Sequence, residues 1–376
     1  MYKHKIIRAV TVSLSVGFFV PLIKDLQEQG YEVVSVSSPG SELQKLRDLG
    51  VNTLEVPMER RMAPLKDIVS LWRLVKVFRQ EKPQMVHSMT PKAGMLCMLA
   101  AWLTRVPVRV HTFTGLVWPT TTGFSKRILM FTDWLTCACA THVNPEGLGV
   151  MNDLKQITSK PMRVLGYGNV KGVDMKYFSR RPEIVQLAET VRKDTCFTFL
   201  FVGRLVGDKG INELVKAFVK LHKELENTRL ILIGNNEARL DPLLTETIAL
   251  IDNCTAIEAV GRKFGNELLA YYAASDCFVF PSYREGFPNV VLEAGAMGLP
   301  SIVTDINGSR EIIQHGQNGI IIPSKNAEAL YEAMKTMLID KENTRLMKEN
   351  ARSMVGDRFD QVFVKQCLID FYKEIV

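Results

Sequence analysis

Residues 277–300, CFVFPSYREGFPNVVLEAGAMGLP, form the segment that most restricts how this chain can fold. The segment opens with a short apolar run, rich in aromatic and β-branched side chains, which predicts a buried strand. The Gly-Phe-Pro sequence at 286–288 predicts a turn, and a helix is expected from Pro288 or Asn289 onward. When a tight turn joins a strand to a helix, the free backbone N–H groups of the turn and the positive N-terminus of the helix point in the same direction. The segment therefore predicts an anion site.

The same alternation of strands and helices runs through the whole chain. Strands on short connections to helices predict parallel α/β sheets, which bind ligands outside the carboxyl ends of their strands. A hairpin-like end is expected at 318–323. Strands are predicted at 6–12, 31–37, 53–56, 85–88, 106–113, 141–144, 197–202, 230–234, 277–282 and 301–304. Helices are predicted at 18–29, 43–49, 64–82, 93–104, 267–275, 327–338 and 360–375.

Charge is distributed unevenly along the 376 residues, although the composition, 47% apolar and 23% charged, is that of an ordinary globular chain. Residues 1–180 carry 24 Lys or Arg and 13 Asp or Glu, a net +11, and the remainder carries −4. The basic half predicts contact with phosphates or with an anionic membrane surface. No aromatic-interleaved basic stripe is present, so nucleic acid is not an expected partner.

Several features point to a cytoplasmic location without a metal. The seven cysteines are scattered, with no C-x-x-C pair, and Cys137 and Cys139 are interpreted as packing residues. The apolar stretch at 93–104 is too short to span a bilayer, and the N-terminus divides into a strand and a helix rather than a signal peptide. No Asp-x-Asp pair occurs that could hold a metal diphosphate.

Two pairs of charged residues are candidates for ligand binding. Glu285 lies before the predicted turn and Glu293 lies in the following helix, where both could flank one phosphorylated sugar. Arg204 and Lys209 lie on a tight loop after the strand at 197–202, where they could converge on one diphosphate. Each pair also has an interpretation without a ligand. Glu285 and Glu293 could be a helix-capping and a surface glutamate, and Arg204 and Lys209 could be two surface cations on a turn.

Residues 281–300 resemble the E-x7-E motif of the retaining glycosyltransferases of family 4. GRLVGDKG at 203–210 resembles the diphosphate-binding loop of that family, and VLGYGNVKGVDMKYF at 164–178 resembles its interdomain linker. The resemblance implies an α/β GT-B fold, with two Rossmann-like domains facing across a cleft. It places an acceptor-side domain at 1–170, a nucleotide-sugar domain at 171–358, and a C-terminal helix at 359–376 that crosses back to the first domain.

The resemblance also assigns roles to individual residues. It implies that the catalytic residues are Arg204, Lys209 and Glu285. It implies that the donor contacts are Gly203, Arg262, Gly286, Phe287, Pro288, Asn289 and Glu293. The acceptor-side candidates are Ser15, His87, His111 and Thr114, and either His111 or Thr114 could take the place of the histidine that precedes a loop glycine in many relatives.

The implied reaction is the transfer of a hexose or N-acetylhexosamine with retention at the anomeric carbon. The expected donor is a nucleotide-sugar, with UDP as the expected nucleotide, and no cofactor or metal is expected. The expected acceptor is a lipid-diphosphate-linked or growing saccharide in surface polysaccharide synthesis. A sugar-nucleotide epimerase of the same two-domain fold is the alternative. A dinucleotide-dependent dehydrogenase would need G-x-G-x-x-G after the first strand, which is absent.

Peripheral contact with the inner face of the membrane is a further expectation. The helix predicted at 64–82 is amphipathic and rich in Lys and Arg, so it either covers the sheet in the ordinary way or touches a membrane through Trp72 and its cations. The loop that contains Trp118, followed by Phe124, Lys126 and Arg127, is expected to contribute to the same contact.

Overall fold

The computed structural model describes residues 4–237 and 241–376, which divide into two compact units. Unit 1 runs to Lys171 and includes Val362–Val376, and unit 2 is Gly172–Gln361. The boundaries expected from the sequence lie at 170 and 358. The C-terminal helix is part of unit 1.

Unit 1 contains a six-stranded sheet in the order β3-β2-β1-β4-β5-β6, in which every pair of neighbours is parallel. Successive strands are therefore joined by crossovers, and the order reverses between β1 and β4. The strands are β1 His4–Ala9, β2 Tyr31–Ser37, β3 Asn52–Glu55, β4 Met85–Met89, β5 Val108–Phe113 and β6 His142–Pro145.

Helices cover both faces of this sheet. The helices α3, α4 and α5 pack on one face around one apolar core, and α1, α2 and the C-terminal α15 pack around a second core on the other. The helices of unit 1 are α1 Ile23–Glu28, α2 Leu43–Arg47, α3 Pro64–Glu81, α4 Pro91–Leu103, α5 Gly123–Cys139, α6 Leu148–Leu154 and α15 Gln361–Ile375, whose first residue belongs to unit 2.

Unit 2 repeats this architecture, with a parallel sheet in the order β12-β11-β10-β7-β8-β9 that reverses between β7 and β10. Its strands are β7 Phe197–Val202, β8 Thr228–Ile233, β9 Ile257–Ala259, β10 Cys277–Phe280, β11 Ser301–Thr304 and β12 Gly319–Ile322. Its helices are α7 Pro182–Glu189, α8 Ile211–Glu224, α9 Thr245–Asn253, α10 Gly265–Ala274, α11 Asn289–Ala296, α12 Ser309–Ile312, α13 Ala327–Ile339 and α14 Lys341–Phe359.

Two sequence-based expectations about local structure are wrong. The hairpin-like end expected at 318–323 is instead strand β12, which pairs in parallel with β11. The segment between the two strands, which contains α12, returns the chain to the end of the sheet where β11 begins. The helix expected at 18–29 is two 3₁₀ turns, at Ser13–Phe18 and Val20–Leu22, followed by the short α1. Pro21 lacks the N–H that a continuous α-helix would need there. Among the described residues, no helix is long and apolar enough to cross a membrane.

Candidate active site

The candidate site of unit 2 lies where its strand order reverses. Strands β7 and β10 are neighbours in the sheet, and the loops that leave their carboxyl ends are the Gly203–Gly210 loop and the Pro281–Pro288 turn. Ligands of open parallel sheets bind outside the carboxyl ends of the strands at such a reversal. The topology therefore brings together the two segments that the sequence marked separately.

An ion pair joins these two loops. Lys209 Nζ donates to Glu285 Oε1, and Ser282 Oγ donates to the same oxygen at 2.9 Å. The side chains of Lys209 and Glu285 are 13% and 18% exposed, and Lys209 Nζ lies 5.6 Å from the ring centroid of Phe280. The ammonium is thus held at the mouth of the sheet by a carboxylate and an aromatic ring, with donor capacity left for a further anion.

Backbone contacts fix the position of this lysine. Residues 207–209 form a 3₁₀ turn, and Tyr283 N donates to Asp208 O at 2.9 Å. Gly210 has φ +70°, and a Cβ there would overlap the carbonyl oxygen of Pro281. Only glycine satisfies both conditions, so the close approach of the two loops depends on Gly210.

Tyr283 provides a second link that the sequence analysis did not identify. Its hydroxyl donates to Glu213 Oε2 at 2.6 Å, on the first turn of α8. Burial, followed by the hydrogen bond to Glu213, raises the pKa of Tyr283 well above its ordinary value. Tyr283 therefore remains a neutral donor, and it anchors the Glu285 turn to the helix that follows the Lys209 loop.

The predicted strand–turn–helix of the motif is confirmed. Pro288 is the N-cap of α11, and its side chain makes no capping hydrogen bond. Phe287 is buried and packs edge-on against Phe359 at 5.3 Å, which anchors the turn. A Cβ at Gly308 would overlap the carbonyl oxygen of Gly286, so the 305–309 loop closes directly over the turn.

This second loop also brings a polar group that the sequence analysis missed. Ser309, the first residue of α12, is fully buried, and its hydroxyl has no hydrogen-bond partner in the described part of the chain. The sequence indicated only a helix start here. The side chain follows directly after the glycine that packs on Gly286, so the orphaned hydroxyl belongs to the same group of loops.

Glu293, the second carboxylate of the motif, is half-buried on α11. It accepts a hydrogen bond from the Tyr272 hydroxyl at 3.2 Å. Tyr272 is fully buried, and burial, reinforced by the Glu293 carboxylate, raises its pKa well above its ordinary value. The tyrosine therefore remains a donor that orients Glu293.

The structure does not show Arg204 and Lys209 on one ligand. Arg204 Nη1 lies 3.5 Å from Glu237 Oε2, on the loop after β8, whereas Lys209 contacts Glu285. Gly203 is in close backbone contact with Gly234, since a Cβ at Gly234 would overlap the carbonyl oxygen of Gly203. The convergence of both cations on a diphosphate stays a prediction.

Arg262 follows β9, and its guanidinium lies 4.9 Å from the ring of Phe264. Asn289 is the first helical residue of α11. Contact of these two residues with the donor stays a prediction.

The two histidines named for the acceptor side lie inside the sheet of unit 1. His87 is 1% exposed, with Nδ1 bonded to Tyr372 Oη at 2.5 Å and 3.0 Å from Arg8, and Nε2 2.7 Å from Thr112. Burial, followed by the charge of Arg8, holds the pKa of His87 well below its usual value. The ring is therefore neutral at physiological pH and is already fully bonded.

His111 occupies a similar position on the next strand. It is 1% exposed, Nδ1 lies 2.8 Å from Ser88 Oγ, and the ring packs edge-on against Phe113 at 4.4 Å. Burial lowers the pKa of His111 to about 3. Ser15, in the 3₁₀ turn after β1, and Thr114, directly after β5, are half-buried, so these two are the acceptor-side candidates with accessible surface.

No three His, Cys, Asp or Glu side chains come together as a metal-ligating group within residues 4–237 and 241–376. The charged groups at the candidate site of unit 2 include the Lys209–Glu285 pair, Arg204 and Glu293.

Two family descriptions match the chain. Residues 185–354 match glycosyl transferases group 1, and residues 19–144 match the glycosyl transferase 4-like domain. The first match includes Lys209, Glu285 and Glu293.

Relatives with known names cover nearly the whole chain. A capsular polysaccharide biosynthesis glycosyltransferase, CapM of Staphylococcus aureus, is 30% identical over 99% of this chain and 97% of its own length. A UDP-Gal:α-D-GlcNAc-diphosphoundecaprenol α-1,3-galactosyltransferase of Escherichia coli is 26% identical, over 93% and 91% respectively. Both proteins are named as bacterial glycosyltransferases.

A solved structure confirms the fold. HepE of Anabaena, in complex with UDP, is similar with a TM-score of 0.81 at 18% identity, covering 98% of this chain and all of that one. The two six-stranded parallel sheets thus form the GT-B fold that the sequence predicted. The chain therefore belongs to the group 1 glycosyltransferases with a family 4-like N-terminal domain, among relatives that build bacterial capsular and surface polysaccharides.

Proposed function

We propose that this protein transfers a hexose or N-acetylhexosamine from a UDP-sugar to a lipid-diphosphate-linked saccharide, with retention at the anomeric carbon and without a metal ion. The observation that carries this proposal is the Lys209–Glu285 pair at the strand-order reversal of unit 2. A cation held beside a carboxylate, next to the start of a helix, suits a diphosphate attached to a sugar: the ammonium faces the phosphate, and the carboxylate accepts from sugar hydroxyls.

Rate enhancement at such a site comes from stabilisation of charge. As the bond from the anomeric carbon to the diphosphate breaks, negative charge grows on the phosphate oxygens. Lys209, with the first-turn amides of α11, would stabilise that charge, and Arg204 would join them by turning away from Glu237. Since Arg204 is 41% exposed and its contact to Glu237 is 3.5 Å, this turn costs little.

The remaining donor contacts divide by position. Glu293, oriented by Tyr272, would accept from the ribose hydroxyls, as the family resemblance implies. The backbone of Gly286 and Phe287 would face the diphosphate and the sugar, and Gly203 and Arg262 would approach the nucleotide. These roles follow from the resemblance and from the shared position of the loops at the ends of β7, β9 and β10.

The named relatives support the choice of donor and acceptor. One is named for UDP-galactose and a diphosphoundecaprenol acceptor, and another, of Campylobacter jejuni, for a diphospho-undecaprenol acceptor. We propose the same chemical class of acceptor for this chain, at the cytoplasmic face of the membrane. The epimerase alternative rests on likeness of fold alone, at 16% identity.

A screen of sugar nucleotides for slow hydrolysis tests the proposal without knowledge of the acceptor. The purified protein should release free UDP from one UDP-sugar faster than from the others, and Lys209→Ala should slow the release by about 10²-fold or more. An epimerase would instead produce the epimeric sugar nucleotide when no acceptor is present. Absence of UDP release from every sugar nucleotide, with or without lipid-linked acceptors, would contradict the proposal.

A further inference from the structure

A pocket of about 490 Å³ opens on unit 2, away from the candidate active site. Its walls are the C-terminal end of α11, one side of α14 and the segment that precedes α7. The candidate active site lies instead at the N-terminal end of α11, after the Pro281–Pro288 turn. Helix α11 has eight residues and is therefore about 12 Å long. A ligand in this pocket would thus not occupy the donor site.

Two arginines beside the pocket converge on one carbonyl oxygen. Arg180 Nη1 and Arg192 Nη2 donate to Ala273 O at 3.0 and 3.1 Å, and Arg180 Nε donates to Met297 O at 3.1 Å. These oxygens lie at the C-terminal ends of α10 and α11, so one role of the arginines is to cap these helices. Partial burial, followed by the charge of Arg192, lowers the pKa of Arg180. Because a carbonyl oxygen has no net charge, the two like charges remain uncompensated.

Two further cations line the same pocket from α14. Arg352 donates to Phe178 O at 2.7 Å, which is again a carbonyl oxygen. Lys348 makes no hydrogen bond or salt bridge to any residue that the structure describes. Partial burial lowers the pKa of Lys348, and the charges of Arg180 and Arg192 lower it further. The ammonium of Lys348 therefore has its three N–H donors available for a ligand.

The acids near the pocket do not cancel this charge. Glu349 lines the pocket, but its carboxylate lies 2.5 Å from Arg345, which lines it as well. Asp276 attracts Arg180 and Lys348 but lies too far from both to form a salt bridge. Unit 2 as a whole contains 23 Lys or Arg and 26 Asp or Glu, a net −3. The pocket is therefore a concentrated positive region on an acidic unit.

We propose that this pocket is an anion site that binds a small, water-soluble molecule carrying a diphosphate group. Arg180 and Arg192 each retain most of their five N–H donors, in the planar arrangement that matches phosphate oxygens, and Lys348 adds a point charge. A single carboxylate would leave most of this positive charge unpaired, whereas a diphosphate would not. The pocket volume also lies in the range of roughly 300–1,000 Å³ that is typical of small-molecule sites.

The alternative is that the arginines serve only as helix caps. The inference goes beyond the proposed transfer reaction and does not depend on it.

Binding of inorganic pyrophosphate to the full-length protein tests this proposal. The measurement uses the Lys209→Met background, in which binding at the candidate active site is weakened. In about 50 mM salt, where charges are screened weakly, pyrophosphate should bind this protein. Adding Lys348→Gln should lower the affinity about fivefold or more, because one charge-assisted contact is lost. Since Lys348 makes no hydrogen bond or salt bridge in the described part of the chain, Tm should not change.

A double variant and a matched control separate this site from general electrostatic attraction. Arg192→Gln with Lys348→Gln should lower the affinity for pyrophosphate about twentyfold or more. The control, Lys216→Gln with Lys223→Gln, removes two exposed cations of α8 and changes the net charge equally. It should change the affinity less than about twofold, because α8 does not line the pocket.

Amine modification of the wild-type protein locates the bound anion directly. Excess pyrophosphate should slow the reaction of Lys348 with an amine-reactive reagent and leave Lys216 unaffected, as measured by mass spectrometry of the peptides. Protection of Lys209 in the same experiment would report binding at the candidate active site, so the two sites are read separately.

Three results would overturn the proposal. The first is no binding of pyrophosphate to the Lys209→Met protein at low salt. The second is unchanged affinity after Lys348→Gln, which would leave the arginines as helix caps only. The third is protection of Lys209 without protection of Lys348, which would put the anion at the candidate active site alone. None of these measurements uses a sugar donor or acceptor, so failure of this site and failure of the proposed reaction are distinguishable.

Discussion

Replacing Lys209 by Met should remove the cation that the proposal places against the leaving diphosphate. Its ammonium lies on the Glu285 carboxylate, in a position only 13% exposed, where water screens charge weakly. The loss of one preorganised charge partner typically lowers kcat by about 10²-fold to 10³-fold, or about 2.7–4 kcal/mol of transition-state stabilisation. We therefore expect kcat to fall by about 10²-fold or more, with a smaller change in KM for the donor.

The same substitution should also lower stability, because it leaves a carboxylate without its cation. Glu285 is 18% exposed and retains the hydrogen bond from Ser282, so the loss should be about 1–3 kcal/mol. For a unit of this size, that corresponds to a decrease in Tm of about 2–12 °C. Lost activity therefore has to be separated from partial unfolding.

A double-mutant cycle with Glu285→Gln separates the two effects. The Lys209→Met, Glu285→Gln protein has no unpaired charge, so it should regain most of the lost Tm. Its activity should stay low, because the Lys209 ammonium no longer faces the diphosphate and Arg204 alone remains. Activity is measured as UDP release in the presence of acceptor, at a temperature well below every Tm.

Two outcomes would refute this reasoning. Turnover of Lys209→Met within about threefold of the wild type would show that the ammonium does not act on the leaving group. Recovery of activity together with Tm in the double variant would show that Lys209 serves only to neutralise Glu285.

Further predictions concern other groups of the protein. Arg204→Ala should lower kcat about 10²-fold without a loss of Tm, because its side chain is 41% exposed; wild-type turnover would remove Arg204 from the site. Glu293→Ala should mainly raise KM for the donor, whereas Glu285→Ala should lower kcat more; the reverse pattern in steady-state kinetics would exchange their roles. Activity should persist in excess EDTA, and loss restored by Mg²⁺ or Mn²⁺ would contradict metal independence. Burial raises the pKa of Asp133 to about 7, so the folded state holds this proton more tightly than the unfolded state. The free energy of unfolding should therefore fall as pH rises from about 4 to about 7, and Asp133→Asn should remove that dependence in urea titrations.

The architecture could be predicted from the sequence because each strand has a distinct apolar run. The strands at 31–37, 197–202 and 301–304 have the predicted bounds. Partners in the sheet could not be predicted in the same way. The hairpin expected at 318–323 was wrong because a short apolar strand after a turn has the same sequence pattern whether it pairs antiparallel or parallel to the preceding strand.

The site could be predicted as segments, but not as contacts. Glu285 and Lys209 were named separately, yet their pairing depends on β7 and β10 being neighbours, which is a property of the sheet order. Tyr283 and Ser309 were missed because a tyrosine beside a motif, or a serine at a helix start, carries no sequence signal of its own. Tyr283 matters because it bonds Glu213, and Ser309 matters because its buried hydroxyl lacks a partner beside the Gly286 turn.

Burial is the property that sequence patterns predicted least well. His87 and His111 were named for the acceptor side, but both are buried in the sheet with their ring nitrogens bonded, and contact with an acceptor stays a prediction. Trp118 is also buried, whereas Trp72 is exposed. The sequence predicted an exposed position for both tryptophans. Only the path of the backbone makes one buried and the other exposed.

The most direct test of the account is the transfer reaction itself, measured with the purified protein, the UDP-sugar selected by the hydrolysis screen, and a lipid-diphosphate-linked saccharide. Free UDP and the glycosylated lipid should form in equal amounts, and NMR of the product should show the anomeric configuration of the donor. Release of UDP without a new glycoside, or a product of inverted configuration, would contradict the account.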